Sequence, residues 1–155
     1  MDYELVQLNK KRVAGIRIRT DNNDANMSNQ IGRAWQRFFG EGIFASISSK
    51  KNDKTIGLYT NYENGVSWKY DVMICCEVED NAIMPAQVEV ETIGEGKYAK
   101  FVVKGHVQKA VQEFWMKLWA MDLDRKYSCD FEEYQAEGDM ENGEIHFYIS
   151  LNEKK

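Results

Sequence analysis

The spacing of apolar and polar positions along the chain changes several times, and each change marks an element. Val13-Ala-Gly-Ile-Arg-Ile-Arg19 alternates apolar with basic residues, the period of a half-buried strand, and a shorter strand precedes it at 3–8 with Asn9-Lys10-Lys11 as the hairpin turn. Over 26–39 the period lengthens: Ile31, Ala34, Trp35 and Phe38 fall at helical spacing, with Asn26 or Ser28 as N-cap and Gly40 as stop. Residues 55–62 and 68–78 are rich in aromatic and β-branched side chains, and the Asn64-Gly65 pair between them favours a hairpin turn.

The order then repeats. Residues 87–93 and 97–103 alternate around Gly94-Glu95-Gly96, and a second helix over 107–121 carries Val107, Val111, Phe114 and Leu118 on one stripe. Strands at 129–135 and 144–151 follow, joined by a polar loop with Asn142-Gly143. Set in register, Ile31, Ala34, Trp35, Phe38 and Phe39 align with Val111, Phe114, Trp115, Leu118 and Trp119, apolar on apolar and Trp on Trp. The pattern predicts an α+β fold of duplicated ββαββ or βαββ units, about 1–80 and 86–153, within one domain over 1–155. The halves would share one antiparallel sheet, with two helices on one face, the other face curved and open, and a central cleft for a ligand.

Composition narrows the function. The 155 residues are 43% hydrophobic, enough for a core and against disorder. Lys plus Arg number 20 against 25 Asp plus Glu, a net charge of −5, and no basic run forms a phosphate-binding patch, so a nucleic-acid partner is disfavoured. No apolar stretch approaches the ~18 residues of a membrane span, and the opening residues lack the apolar region of a signal peptide; a cytoplasmic protein is expected. Cys75, Cys76 and Cys129 make neither a disulfide framework nor a CxxC metal spacing and are expected reduced and buried. His106 and His146 lack zinc-site spacing, with His106 at a loop-to-helix junction where it would cap the helix or stand exposed, so no metal and no cofactor are expected. Gly94-Glu-Gly-Lys97 precedes a strand where a phosphate loop needs a helix, and no nucleophilic triad is visible. Aromatic residues, at 12%, exceed what the core needs, which points to aromatic surface for a ligand or partner.

Asp130-Phe-Glu-Glu-Tyr134 is the most informative segment, because period two puts Phe131 and Glu133 on one face and Glu132 and Tyr134 on the other. If Phe131 faces the helices, Glu132 and Tyr134 face the cleft. A carboxylate walled by aromatics there would be desolvated and its pKa raised, which suits a general acid or base or an attractor for a ligand cation. Spacing alone favours a solvated pair of acids on an edge strand and leaves open whether Glu132 or Glu133 faces the cleft. On the last strand Ile145, Phe147, Ile149 and Leu151 are core by composition, leaving His146 and Tyr148 to the open face. Tyr59, Trp68, Tyr70, Tyr134 and Tyr148 could then converge as a cage around Glu132, although plain sheet packing explains any one of them equally well.

Six segments in order resemble the GyrI-like family over nearly the whole chain: Ile31-Gly-Arg-Ala-Trp-Gln-Arg-Phe38, Ile56-Gly-Leu-Tyr-Thr-Asn-Tyr-Glu63, Tyr70-Asp-Val-Met-Ile74, Gly96-Lys-Tyr-Ala-Lys-Phe101, Asp130-Phe-Glu-Glu-Tyr134 and Ile145-His-Phe-Tyr-Ile149. The family is similar to the effector-binding domains of AraC-type and MerR-type regulators, which are built as a duplicated βαββ fold and take bulky aromatic or cationic compounds in a central cleft; of the two repeat units, the resemblance implies βαββ. No residues remain for a helix-turn-helix, so a stand-alone member is expected. The family's F-E-x-Y strand carries the acidic residue of the pocket floor; the resemblance assigns that place to Glu132, with Tyr134 two residues on, and reverses the spacing-only reading. It also implies a cage that includes Trp68, Tyr70, Trp115 and Tyr148.

Some stand-alone members are hydrolases that open the cyclopropane ring of DNA-alkylating natural products, which would make Glu132 catalytic, orienting or deprotonating the attacking water. Others only bind, and related proteins inhibit DNA gyrase, so the rival reading is a protein-interaction module. The expected partner is a small aromatic or cationic molecule bound by a monomer or homodimer, without cofactor, nucleic acid or membrane.

Overall fold

The structure, a computed structural model, describes residues 2–21, 26–61, 69–80, 83–135 and 141–152, leaving aside the side chains of Met27, Ser28 and Tyr127. Its elements are β1 (Glu4–Leu8), β2 (Lys11–Asp21), α1 (Met27–Gly40), α2 (Ile43–Ser46), β3 (Thr55–Thr60), β4 (Lys69–Glu77), β5 (Glu89–Ile93), β6 (Gly96–Gly105), α3 (Val107–Trp119), β7 (Arg125–Tyr134) and β8 (Gly143–Leu151). The two long helices fall where the apolar stripes predict. Asn26 stands at the N-cap of α1, and the His106 ring caps α3, its Nδ1 accepting from the Lys109 N–H at 3.5 Å. The single turn α2 has no counterpart in the sequence pattern; the chain enters it through Gly42 at φ 75°, a conformation glycine adopts without steric cost.

Among the described residues all eight strands form one antiparallel sheet in the order β1-β6-β8-β7-β3-β4-β2-β5. The β3–β4 and β7–β8 hairpins form as expected, although the Asn64-Gly65 turn of the first lies outside the described residues. The two other expected hairpins do not form. β1 pairs with β6 and β5 with β2, so each half gives its first strand to the other half.

This exchange bends the sheet. Only Asn9 and Lys10 separate β1 from β2, which lie six places apart in the strand order, and only Gly94 and Glu95 join β5 to β6 across the same separation. In a flat sheet six places would span roughly 29 Å, whereas two linking residues reach at most about 11 Å between strand ends. The sheet therefore curls until its edges approach.

Both long helices lie on one face, as expected. α1 covers β2 and β4, packing Ala34 and Phe38 on Ala14, Ile16, Val72 and Ile74. α3 covers β6 and β8, where Phe114 stacks on Phe147 with ring centroids 3.8 Å apart. Positions 31–40 and 111–120 have the same sequence of buried, half-buried and exposed residues, so the duplication extends to packing. The other face is not open. Ile56, Leu58, Met73, Cys75 and Phe131 fill it, closed by Val6 and Leu8 of the exchanged β1. Cys75, Cys76 and Cys129 are free and buried. Among the described residues no helix is long and apolar enough to cross a membrane.

Candidate functional site

Because α1 sits on β2 and β4 and α3 on β6 and β8, the two central strands β3 and β7 run beneath the gap between the helices. Residues directly opposite on antiparallel strands share a face. Glu132 is opposite Phe147, which α3 covers, and opposite Gly57 on its other side. Glu132 and Tyr134 therefore point towards the helices, and Phe131 points into the concave face, the reverse of the expected arrangement.

Glu132 is 2% exposed. The Tyr59 hydroxyl donates to its Oε1 at 2.7 Å, while its Oε2 and the Trp115 indole nitrogen are both buried and lack a hydrogen bond of acceptable geometry. No basic side chain among the described residues pairs with it. Burial pushes the carboxyl up from 4.5 to about 7, against the hydrogen bond from Tyr59 and smaller opposing contributions from the Tyr134 hydroxyl and the Trp115 N–H. The Tyr59 and Tyr134 phenols are raised well above their usual value, first by burial and then by the neighbouring carboxyl, so both remain protonated donors.

Two aromatic pairs stand over this carboxyl in matching positions. Trp115 of α3 packs edge-on against Tyr59 and Trp35 of α1 edge-on against Tyr134, each with ring centroids 5.1 Å apart and interplanar angles of 72° and 85°. Tyr59 lies two residues after Gly57, and Tyr134 two residues after Glu132. The site is thus built twice, once from each half, and the halves differ at the centre, where one carries a carboxylate and the other a glycine. A Cβ on Gly57 would stand 2.7 Å from Glu132 Oε1 and 3.1 Å from its Cγ.

The expected site residues divide as follows. Glu132, Tyr59, Tyr134 and Trp115 come together, and Tyr70 adjoins them, buried on the same face with its ring 6.1 Å from that of Tyr59. Tyr148 does not join them: it lies opposite Phe131 and stacks on that ring at 4.6 Å on the concave face. Trp68 lies outside the described residues. Glu133, the other acid of the pair, is on the concave side, 3.7 Å from Lys54 Nζ. His146 sits 2.6 Å from Glu144, and no group of three or more potential metal ligands occurs among the described residues. Sequence reasoning passed over Trp35 and Gly57. The helix alignment already matched Trp35 with Trp115, and a lone glycine inside a strand pattern is the usual mark of a close approach.

Such an arrangement suits an aromatic cation. A buried carboxyl lacking a cationic partner ionises readily only when a positive charge joins it, and indole and phenol rings attract cations over their faces.

Comparison with known proteins shows the family. The model of the Cass2 family, described as integron-associated effector binding protein, matches residues 4–151. The structure is similar to integron cassette protein VCH_CASS2 from the mobile metagenome of Vibrio cholerae, with a TM-score of 0.79 and 25% identity over 97% of this chain and 95% of that one. It is also similar to SAV2435 bound to tetraphenylphosphonium, with a TM-score of 0.76 and 27% identity over 97% and 94% of the two chains. YobU of Bacillus subtilis (strain 168), a candidate transcriptional regulator protein, is 26% identical over 95% of this chain and 96% of its own length.

Proposed function

This chain belongs to the Cass2 family of integron-associated effector-binding proteins, and from that premise we propose that it binds bulky aromatic cations between α1 and α3, with Glu132 as their countercharge. The observation that carries the reading is the Glu132 carboxyl, buried among Tyr59, Tyr134 and Trp115 with one oxygen unpartnered and, among the described residues, no basic side chain paired with it. A delocalised cation loses little hydration on entering such a site and gains both the ion pair and ring contacts of about 0.5–2 kcal/mol each. The similar protein SAV2435 has been seen with tetraphenylphosphonium, a cation of this class. Tyr70 extends the aromatic wall on the side of Tyr59.

Titration calorimetry with tetraphenylphosphonium tests this, with triphenylphosphine oxide as a neutral ligand of similar rings. The cation binds the natural protein, and Glu132→Gln weakens it about tenfold or more while changing the neutral ligand little. Equal affinity of both forms for the cation would overturn the assignment.

A second reading has one observation in its favour. A carboxyl with a pKa of about 7 is poised to act as a general base near neutral pH. In an alkylator whose cyclopropane is conjugated to a dienone carbonyl, held by the rings, Glu132 would take a proton from water as the water oxygen bonds to a cyclopropane carbon. The strained C–C bond breaks, its electron pair passes to the ligand's carbonyl oxygen as a phenolate, and that oxygen takes up the proton, so that one water is added across the opened ring. Ring-opened product exceeding one equivalent per protein by mass spectrometry, lost in Glu132→Gln, would establish turnover; its absence leaves a binding protein.

A further inference from the structure

Gly57 lies inside β3, which is paired on both sides by β4 and β7. A glycine in the middle of a strand weakens it, and here the backbone does not need one: among the described residues the glycines with positive φ are Gly42, Gly96 and Gly105, not Gly57. What the position needs is space. The Glu132 side chain lies across it, with Oε1, Cγ and Cδ at 2.7, 3.1 and 3.3 Å from where a Cβ would be. The same oxygen takes the Tyr59 hydroxyl from the next residue of β3 on that face.

We propose that Gly57 is a positioning and specificity-determining residue of the cation site: its missing side chain lets Glu132, on the helix-covered face of the sheet, lie across β3, anchored by Tyr59. The inference rests on Glu132 being the cation's countercharge. The duplication supplies the reason. Gly57 and Glu132 face each other across the seam between the halves, each two residues before the tyrosine that meets a helix tryptophan. One long side chain fits on that seam only if its opposite number is absent. Gly57 thereby makes a nearly symmetric aromatic site carry a single, off-centre charge, and so separates cationic from neutral ligands of the same shape.

The test is a double-mutant cycle of Gly57→Ala with Glu132→Ala, read by thermal unfolding and by calorimetry with tetraphenylphosphonium and triphenylphosphine oxide. Gly57→Ala lowers Tm and cuts cation affinity about tenfold when Glu132 is present, with a smaller effect on the neutral ligand. With Glu132→Ala the cradle is empty, so the same change leaves Tm equal or higher and affinity within about twofold. Should Gly57→Ala fail to fold while the double variant folds, the coupling is confirmed in its strongest form. Equal loss of Tm in both backgrounds would assign Gly57 to strand geometry alone and overturn the proposal. So would unchanged cation affinity in Gly57→Ala while Glu132→Gln loses it. No cation binding by the natural protein overturns the cation reading itself, a result distinct from those two.

Discussion

Tyr59 and Glu132, 73 positions apart in the chain, meet through a 2.7 Å hydrogen bond across the seam where the two halves join. The donor is a phenol raised well above its usual pKa, so it keeps its proton at any physiological pH, and the bond favours the carboxylate over the carboxylic acid.

Tyr59→Phe removes that donor and keeps the ring. The Glu132 carboxyl then rises further above about 7, because a hydrogen bond to a charged group is worth about 1.5–3 kcal/mol and one pKa unit corresponds to about 1.4. Calorimetry should find tetraphenylphosphonium binding weakened about tenfold at pH 7 and largely restored at pH 9, where the carboxyl ionises without help. Equal loss at both values would mean that the hydroxyl acts by packing and not by holding the charge.

Stability should depend on pH through the same group. Glu132 titrates near the usual 4.5 when unfolded and at about 7 when folded, so between these values the folded state holds more protons. Its contribution is fully present below about 4.5, declines as pH rises and is lost above about 7, in total roughly 3 kcal/mol at about 1.4 kcal/mol per pH unit. Urea unfolding of Glu132→Gln beside the natural protein should show the variant gaining relative stability from pH 5 to pH 8. A constant difference across that range would show that Glu132 is not titrating there.

Face assignment predicts which aromatic residues matter. Trp35→Ala takes away the ring over Tyr134 and should weaken tetraphenylphosphonium binding by about 1–2 kcal/mol. Tyr148→Phe keeps the stack on Phe131 on the concave face and should leave affinity unchanged. An affinity loss in Tyr148→Phe as large as that in Trp35→Ala would contradict the placement of the site between the helices.

Local pattern determined much of this protein. The 3.6-residue stripes set both helices, the first start is narrowed to Asn26 or Ser28 while the second, near Gly105-His106, is weakly marked, and the Trp35–Trp115 alignment exposed a duplication that the packing repeats. The alternation through 130–134 and 145–151 correctly separated Glu132 from Glu133 and Phe147 from Tyr148. These signals are short-range: each depends on residues a few positions apart on one element.

Tertiary structure decided the rest. A period of two states which residues share a face but not which face the helices will cover; that followed from pairing Glu132 with Phe147, on which Phe114 of α3 stacks. Nor could the two-residue links after β1 and β5 announce that they join distant strands, since a tight hairpin and an edge crossing look alike until the sheet curls. The space over Gly57, the hydrogen bond from Tyr59 and the burial that lifts Glu132 to about 7 all arise where β3 meets β7, between residues about 75 positions apart, a contact that no local pattern encodes.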